Sequence, residues 1–198
     1  DGDGSTFYDI EYPIQLGSFD GAFHDASETT QPLPFALMRD NYPMINGRGY
    51  PDTADPREDN FPAPADSHTV MAGSPGAYVP TVQAVSSLIT ATAGDKVLLR
   101  ISNLAITRFY TLQSLGIPMK VVGKDAKLLR GPNGDDLYYK TNSVTVGGGE
   151  SFDVILDTAA VAPGTYYLYT SNLNYLSNDT EAFGGMMTEI VINEGGLP

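Results

Sequence analysis

Ala93-Gly94-Asp95-Lys96-Val97-Leu98-Leu99-Arg100-Ile101-Ser102-Asn103 is the stretch that decides the fold. A Gly-Asp turn opens a short run that is apolar on nearly both sides, and such a run reads as a central strand. Upstream, Tyr8, Ile10, Tyr12, Ile14 and Leu16 alternate with Asp9, Glu11, Pro13 and Gln15, so that strand has one apolar face and one wet face. Pro13 has no amide to donate, which places the strand at an edge or a bulge. Downstream, strands are expected at 108–112, 120–122, 127–129, 142–146, 151–156, 165–170 and 186–192. Turn chemistry separates them: Gly131-Pro132-Asn133-Gly134, Gly147-Gly148-Gly149 and Ala162-Pro163-Gly164. No long amphipathic helix is expected. Short strands punctuated this regularly imply an all-β sandwich or barrel with Greek-key connections.

The 198 residues suit one enlarged β-domain, 1–198, with residues 1–6 as a linker or cut point. Two stretches break the strand rhythm and are expected as long surface loops: 20–31, and 51–80 with its six prolines. Acidic groups outnumber basic ones 24 to 11, a formal net charge of −13. Phosphate backbones and anionic headgroups repel such a chain, so neither nucleic acid nor a lipid surface is an expected partner. No apolar run approaches the length that crosses a bilayer, and membrane insertion is not expected. There is no cysteine. That excludes disulfides, thiol nucleophiles, Cys-ligated zinc and a blue-copper centre within the chain.

The candidate chemical residues are few. His24 and His68 are the only imidazoles, 44 positions apart, with Asp25, Glu28 and Asp66 as carboxylates that could complete a metal shell. The plainer reading is two surface histidines. The acidic loop at 52–59 offers oxygen ligands for calcium but lacks the spacing of a known calcium loop. Asn178-Asp179-Thr180 is a glycosylation sequon, and no serine sits in a Gly-x-Ser-x-Gly elbow. The tyrosines at 138–139 and 166–169 suit cross-strand packing or, alternatively, a sugar platform. Gly164 and Tyr166 have the spacing of a tyrosine corner, a structural role.

Several segments resemble the multicopper oxidase family, in the family's order. The 93–103 stretch is similar to the cupredoxin pattern in which a Gly-Asp turn (Gly94, Asp95) leads to a strand ending in Asn (Asn103). Met44-Ile45-Asn46-Gly47-Arg48-Gly49-Tyr50-Pro51 resembles the family's ING-x-x-YP segment. Residues 118–129 resemble its V-x-G-x-D-G-x-x-L strand pair, 149–156 its PGERxDVLV element, and Gly185-Met186-Met187 with 189–192 its closing GMM strand. The arrangement most resembles the second, middle cupredoxin domain of a three-domain oxidase, whose copper is carried mainly by the first and last domains. Where copper-bearing domains of that family show histidines, this chain has Gln113-Ser114-Leu115. In place of their His-Cys-His stretch it has Tyr169-Thr170-Ser171-Asn172-Leu173-Asn174-Tyr175. Only Met186 or Met187 stands at the place of the axial thioether, and without a thiolate and imidazoles a thioether is a core filler.

The resemblance implies a copper-free middle domain that spaces the copper-bearing domains of one polypeptide and lends the 51–80 and 173–183 loops to a substrate cleft. Copper is then expected in the parent enzyme, which couples substrate oxidation to reduction of O2 to water in the periplasm or outside the cell. This chain alone is expected to be inactive. Two other readings stay open: a free-standing β-sandwich module that binds carbohydrate or a protein partner, and a metal carrier using His24, His68 and the methionines. Phenol and metal-ion substrates are not distinguished.

Overall fold

The computed structural model describes residues 2–29, 32–54, 86–180 and 184–195. Along the chain run β1 (Ile10–Phe19), α1 (Gly21–Thr29), β2 (Tyr42–Ile45), β3 (Ile89–Thr92), β4 (Lys96–Asn103) and β5 (Tyr110–Leu115). Then come β6 (Met119–Lys124), β7 (Lys127–Leu128), β8 (Tyr139–Thr141), β9 (Ser143–Val146), β10 (Ser151–Asp157), β11 (Gly164–Thr170) and β12 (Met187–Asn193). One sheet has the order β2-β1-β4-β10-β6-β7, with β8 also on β6, and the other is β3-β12-β11-β5-β9. The chain passes repeatedly from one sheet to the other, so the two faces close on a shared core as a Greek-key sandwich.

The 96–103 run is central because β4 pairs with β1 in parallel and with β10 antiparallel. Its two-sided apolar character has a direct cause. Val97, Leu99 and Ile101 enter the core between the sheets, while Leu98 points to the outer face and joins Val122 and Ile155 beneath Tyr138. Pro13 sits where an edge proline belongs. β2 pairs with β1 only from Leu16 to Phe19, so the Pro13 half of β1 has β4 on one side alone. Asn46 finishes that edge: its Nδ2 donates to Pro13 O at 2.9 Å and its Oδ1 accepts Gln15 N at 2.8 Å. It can do so because Asn46 and Gly47 take φ of 50° and 78°, the left-handed pair of a two-residue hairpin turn.

The reading of 20–31 as a loop is corrected, since residues 21–29 form α1. Asp20 nucleates it: Oδ1 accepts Phe23 N at 3.0 Å, and Oδ2 accepts the Arg39 amide from the far side of the connection. These backbone donors hold the Asp20 carboxyl below the usual carboxylate range. No residue of α1 is buried, so no apolar stripe announces it in the sequence. Three short strands, β2, β3 and β8, also went unread, each only three or four residues long. Of the expected 51–80 excursion, Asp52–Ala54 form a 3-10 turn, and residues 55–80 lie outside the described residues.

Candidate functional site

The register places the ends of β1, β4 and β11 and the starts of β2, β5 and β12 at one end of the sandwich. Leu16 lies beside Asn103, Phe19 beside Tyr42, Thr170 beside Leu112, and Tyr169 beside Met187. Asn103 organises this end from a fully buried position. Its Nδ2 donates to Val146 O at 2.8 Å and Arg108 O at 3.2 Å, and its Oδ1 accepts Ala105 N at 2.8 Å. The 104–109 loop is thereby pinned with Ala105 inward and its large apolar side chains outward. Leu104, Ile106 and Phe109 are 63%, 87% and 72% exposed. Phe109 lies over Gly147, where a Cβ would come within 2.6 Å of its ring. The Asp40 carboxylate accepts the Thr107 hydroxyl and ties this loop to the α1–β2 connection, which adds exposed Phe35 and Leu37. Beside them is a cavity of about 380 Å³ whose lining includes Arg39, Asp40, Asn41, Arg108, Tyr175 and Asp179.

The positions that the resemblance sets against copper ligands lie apart, with 113–115 running along β5 away from this end and 170–175 leading out of β11 at it, and the donor set does not fit the metal. Gln113, Ser114 and Leu115 lie on β5, with Ser114 buried. Tyr175 packs edge-on against fully buried Tyr110, ring centroids 5.1 Å apart. Burial pushes the Tyr110 phenol up, opposed in part by the neighbouring Ser18 hydroxyl, and the contact between the two lacks good hydrogen-bond geometry. Met186 is fully buried in the core with its amide donating to Tyr175 O at 2.9 Å, whereas Met187 is half-buried on the opposite side of β12. These groups offer phenol, hydroxyl, amide and thioether. A blue-copper centre needs a thiolate, and the chain has none. His24 is exposed on α1 with its ring 4.3 Å from Phe19, and Asp25 and Glu28 beside it are exposed too. Among the described residues no three His, Cys, Asp or Glu side chains come together as a metal-holding group. His68 and Asp66, like positions 55–59 of the acidic loop, lie outside the described residues.

The other singled-out residues lie in turns and corners. At the Gly-Asp turn, Gly94 takes φ 106° and Asp95 Oδ2 accepts Thr92 N at 2.7 Å. Buried Thr158 holds that turn from the end of neighbouring β10: its hydroxyl donates to Asp95 O at 2.7 Å and accepts Gly94 N at 2.9 Å. Gly164 opens β11, and Tyr166 Oη donates to Ala162 O at 2.9 Å. The Tyr166 ring lies against Gly116, where a Cβ would come within 3.0 Å and φ is 88°. Asn178 of the sequon is packed against Gly49 and Gly184, with its amide nitrogen 2.3 and 2.7 Å from where their Cβ atoms would be, so it acts as a packing residue. Sequence reading missed the outward triad Leu104, Ile106 and Phe109. The signal was present as large apolar residues in a segment with no strand partner, directly after Asn103.

The multicopper oxidase family model matches residues 28–196. Laccase-5 of Arabidopsis thaliana is 25% identical over 175 residues, covering 83% of this chain and 28% of that protein. The crystal structure of a blue copper oxidase from Nitrosomonas europaea superposes with a TM-score of 0.63 at 18% identity, covering 93% of this chain and 43% of that one. Copper nitrite reductase from the same organism gives 0.56 at 14% identity, covering 98% and 52%. The chain therefore spans from about a quarter to about a half of the length of these relatives. Sandwich, motif order and family match agree, and the chain belongs to the multicopper oxidase family as one of its cupredoxin domains.

Proposed function

We propose that this chain is the copper-free middle cupredoxin domain of a multicopper oxidase, a spacer that holds copper-bearing domains of the same polypeptide in register. The observation that carries it is the end of the sandwich at Asn103. There Tyr110, Tyr175 and Met186 pack in the core with no thiolate or imidazole beside them, while Leu104, Ile106 and Phe109 project outward as an apolar surface. Exposed apolar surface of this kind marks a contact with another protein surface. In a chain of net charge −13 it is also the part of the surface best suited to burial. The 51–80 and 173–183 loops are proposed to border the substrate cleft. The parent enzyme then oxidises a phenol or a metal ion at the expense of O2, outside the cytoplasm. No helix among the described residues is long and apolar enough to cross a membrane.

The test is made in the whole polypeptide. Leu104→Asp with Ile106→Asp should leave this domain folded but loosen the protein, read as faster limited proteolysis at the domain boundaries and loss of oxidase activity. Unchanged proteolysis and activity would sink the spacer reading. Copper titration of the isolated chain, followed by paramagnetic resonance, should show no stoichiometric site. A tight saturable site would favour the metal-carrier reading instead.

A further inference from the structure

The chain has five lysines, all between positions 96 and 140, and three of them converge on one cleft. Lys96, Lys120 and Lys140 line a cavity of about 340 Å³ on the outer face of the seven-stranded sheet. The register explains the convergence. Lys120 and Lys140 lie directly opposite one another on β6 and β8, Ile155 is beside Lys120 on β10, and Lys96 pairs with Asp157. Phe7, Pro118, Ile155 and Val161 supply the apolar part of the wall.

Two like charges directly opposite on a strand pair are destabilising unless something neutralises them. Elsewhere on the same strand the chain does this: Lys124, opposite Lys127, has the Glu150 carboxylate at 3.2 Å. In the cleft it does not. Lys120 Nζ donates to Ser5 O at 2.8 Å and lies 4.9 Å from the centre of the Tyr138 ring, a carbonyl and a π face rather than a carboxylate. Lys96 and Lys140 have no side-chain hydrogen bond or ion pair among the described residues. Asp157 also lines the cleft, and its Oδ1 is engaged by the Ala159 amide at 3.1 Å. Among the described lining residues three ammonium groups stand against one carboxylate, with the Asp9 carboxylate on the Lys96 amide at 2.8 Å, and the cleft is cationic in an otherwise strongly acidic protein.

A concave site of this size, walled by apolar side chains with a few convergent charges, fixes the class of ligand it suits. We propose that this cleft binds a small organic carboxylate with an apolar body: the carboxylate between Lys96, Lys120 and Lys140, the body against Phe7, Pro118 and Val161. Neutralising the Lys120–Lys140 pair adds to the gain on binding. The site stands apart from the spacer surface, since its Lys96 is at the opposite end of β4 from the 104–109 loop and no residue of that loop lines it.

Benzoate is the probe, with inorganic phosphate and benzylamine as comparison arms, titrated into the full 198-residue chain and followed by amide NMR. Benzoate should saturate a single site, with shifts centred on residues 96, 120, 140 and 159–161, and binding should weaken with added salt. Phosphate should bind more weakly and benzylamine not at all. Lys96→Gln with Lys140→Gln should lower benzoate affinity about tenfold or more, the loss expected for charge-assisted hydrogen bonds, while Lys124→Gln leaves it unchanged. Ala160→Glu, at an exposed wall position, should place a tethered carboxylate in the cleft and reduce binding without touching a lysine. Non-saturating shifts, saturation elsewhere on the chain, phosphate binding as tightly as benzoate, or full affinity in the double lysine variant would each overturn the proposal.

Discussion

At one end of the sandwich, loops after Phe19, Asn103 and Thr170 present apolar side chains to solvent. On the outer face of the seven-stranded sheet, β4, β6 and β8 present lysines around a cleft. The same strand serves both regions. β4 begins with Lys96 at the cleft and ends with Asn103 under the apolar loop, and each region is fastened by one fully buried polar side chain. Near the cleft Thr158 grips the 92–95 turn with its hydroxyl; at the apolar end Asn103 grips three backbone groups with its amide. The difference shows how one scaffold keeps its core while its surfaces diverge. Backbone groups that loops leave unpaired must be satisfied wherever they are buried, but what the loop shows to solvent is free to change.

The largest expected effect tests that pairing of locks. Asn103→Ala strands two carbonyls and one amide, and should cost roughly 3 kcal/mol in denaturant unfolding. Thr158→Val keeps the volume and loses only the hydroxyl, so it should cost roughly 2 kcal/mol. Equal or reversed losses would break the view that the apolar end depends more heavily on its lock.

A smaller effect follows from Asp20, whose folded carboxyl is held below its unfolded value by the Phe23 and Arg39 amides. On acidification the unfolded chain takes up this proton first. The contribution of Asp20 is therefore fully present above about pH 4 and is lost as the pH falls through the depressed folded value. Asp20→Asn keeps a capping oxygen and should cost about 1 kcal/mol or less at neutral pH. Subtracting its acid-unfolding profile from that of the parent isolates the titration, and identical pH slopes would refute it.

The smallest effect concerns Tyr110 at the apolar end. Its phenol is pushed up by burial, so above about pH 10 the unfolded chain ionises while the folded one does not, and stability falls with rising pH. Tyr110→Phe should abolish that alkaline component. At neutral pH it should change stability by less than about 0.5 kcal/mol, because the contact of the buried hydroxyl with Ser18 lacks good hydrogen-bond geometry. A large neutral-pH loss would mean that the hydroxyl is bonded after all, and would sharpen the picture of this end as partly polar inside.

Much of the fold was legible because strands write themselves into sequence with period two. β1, β4, β9 and β10 all alternate or run apolar over at least four residues, and their positions were readable within a few residues. α1 was not, because a helix with no buried residue leaves no apolar stripe, and its anchor to the Arg39 amide is made across 19 positions. β8 was not, because three residues paired on one side, with Tyr139 and Lys140 exposed, resemble a loop. Of the functional regions, the Leu104-x-Ile106 pattern was visible but was not recognised as surface. The lysine cleft had no local signature at all: its members come from three strands, with 24 and 20 positions between successive lysines.

By itself the sequence determined the two-sheet β architecture, the family and the exclusion of blue copper. Each of these depends on local pattern or bare composition: a period of two, a Gly-Asp turn, the count of cysteines. Tertiary structure alone decided which way loop side chains point, which glycines press against rings and which like charges face one another. Those facts are set by strand register and by hydrogen bonds between residues far apart in the chain. Lys120 opposite Lys140, and Asn103 bonded to Val146, exist only once the sheets have closed.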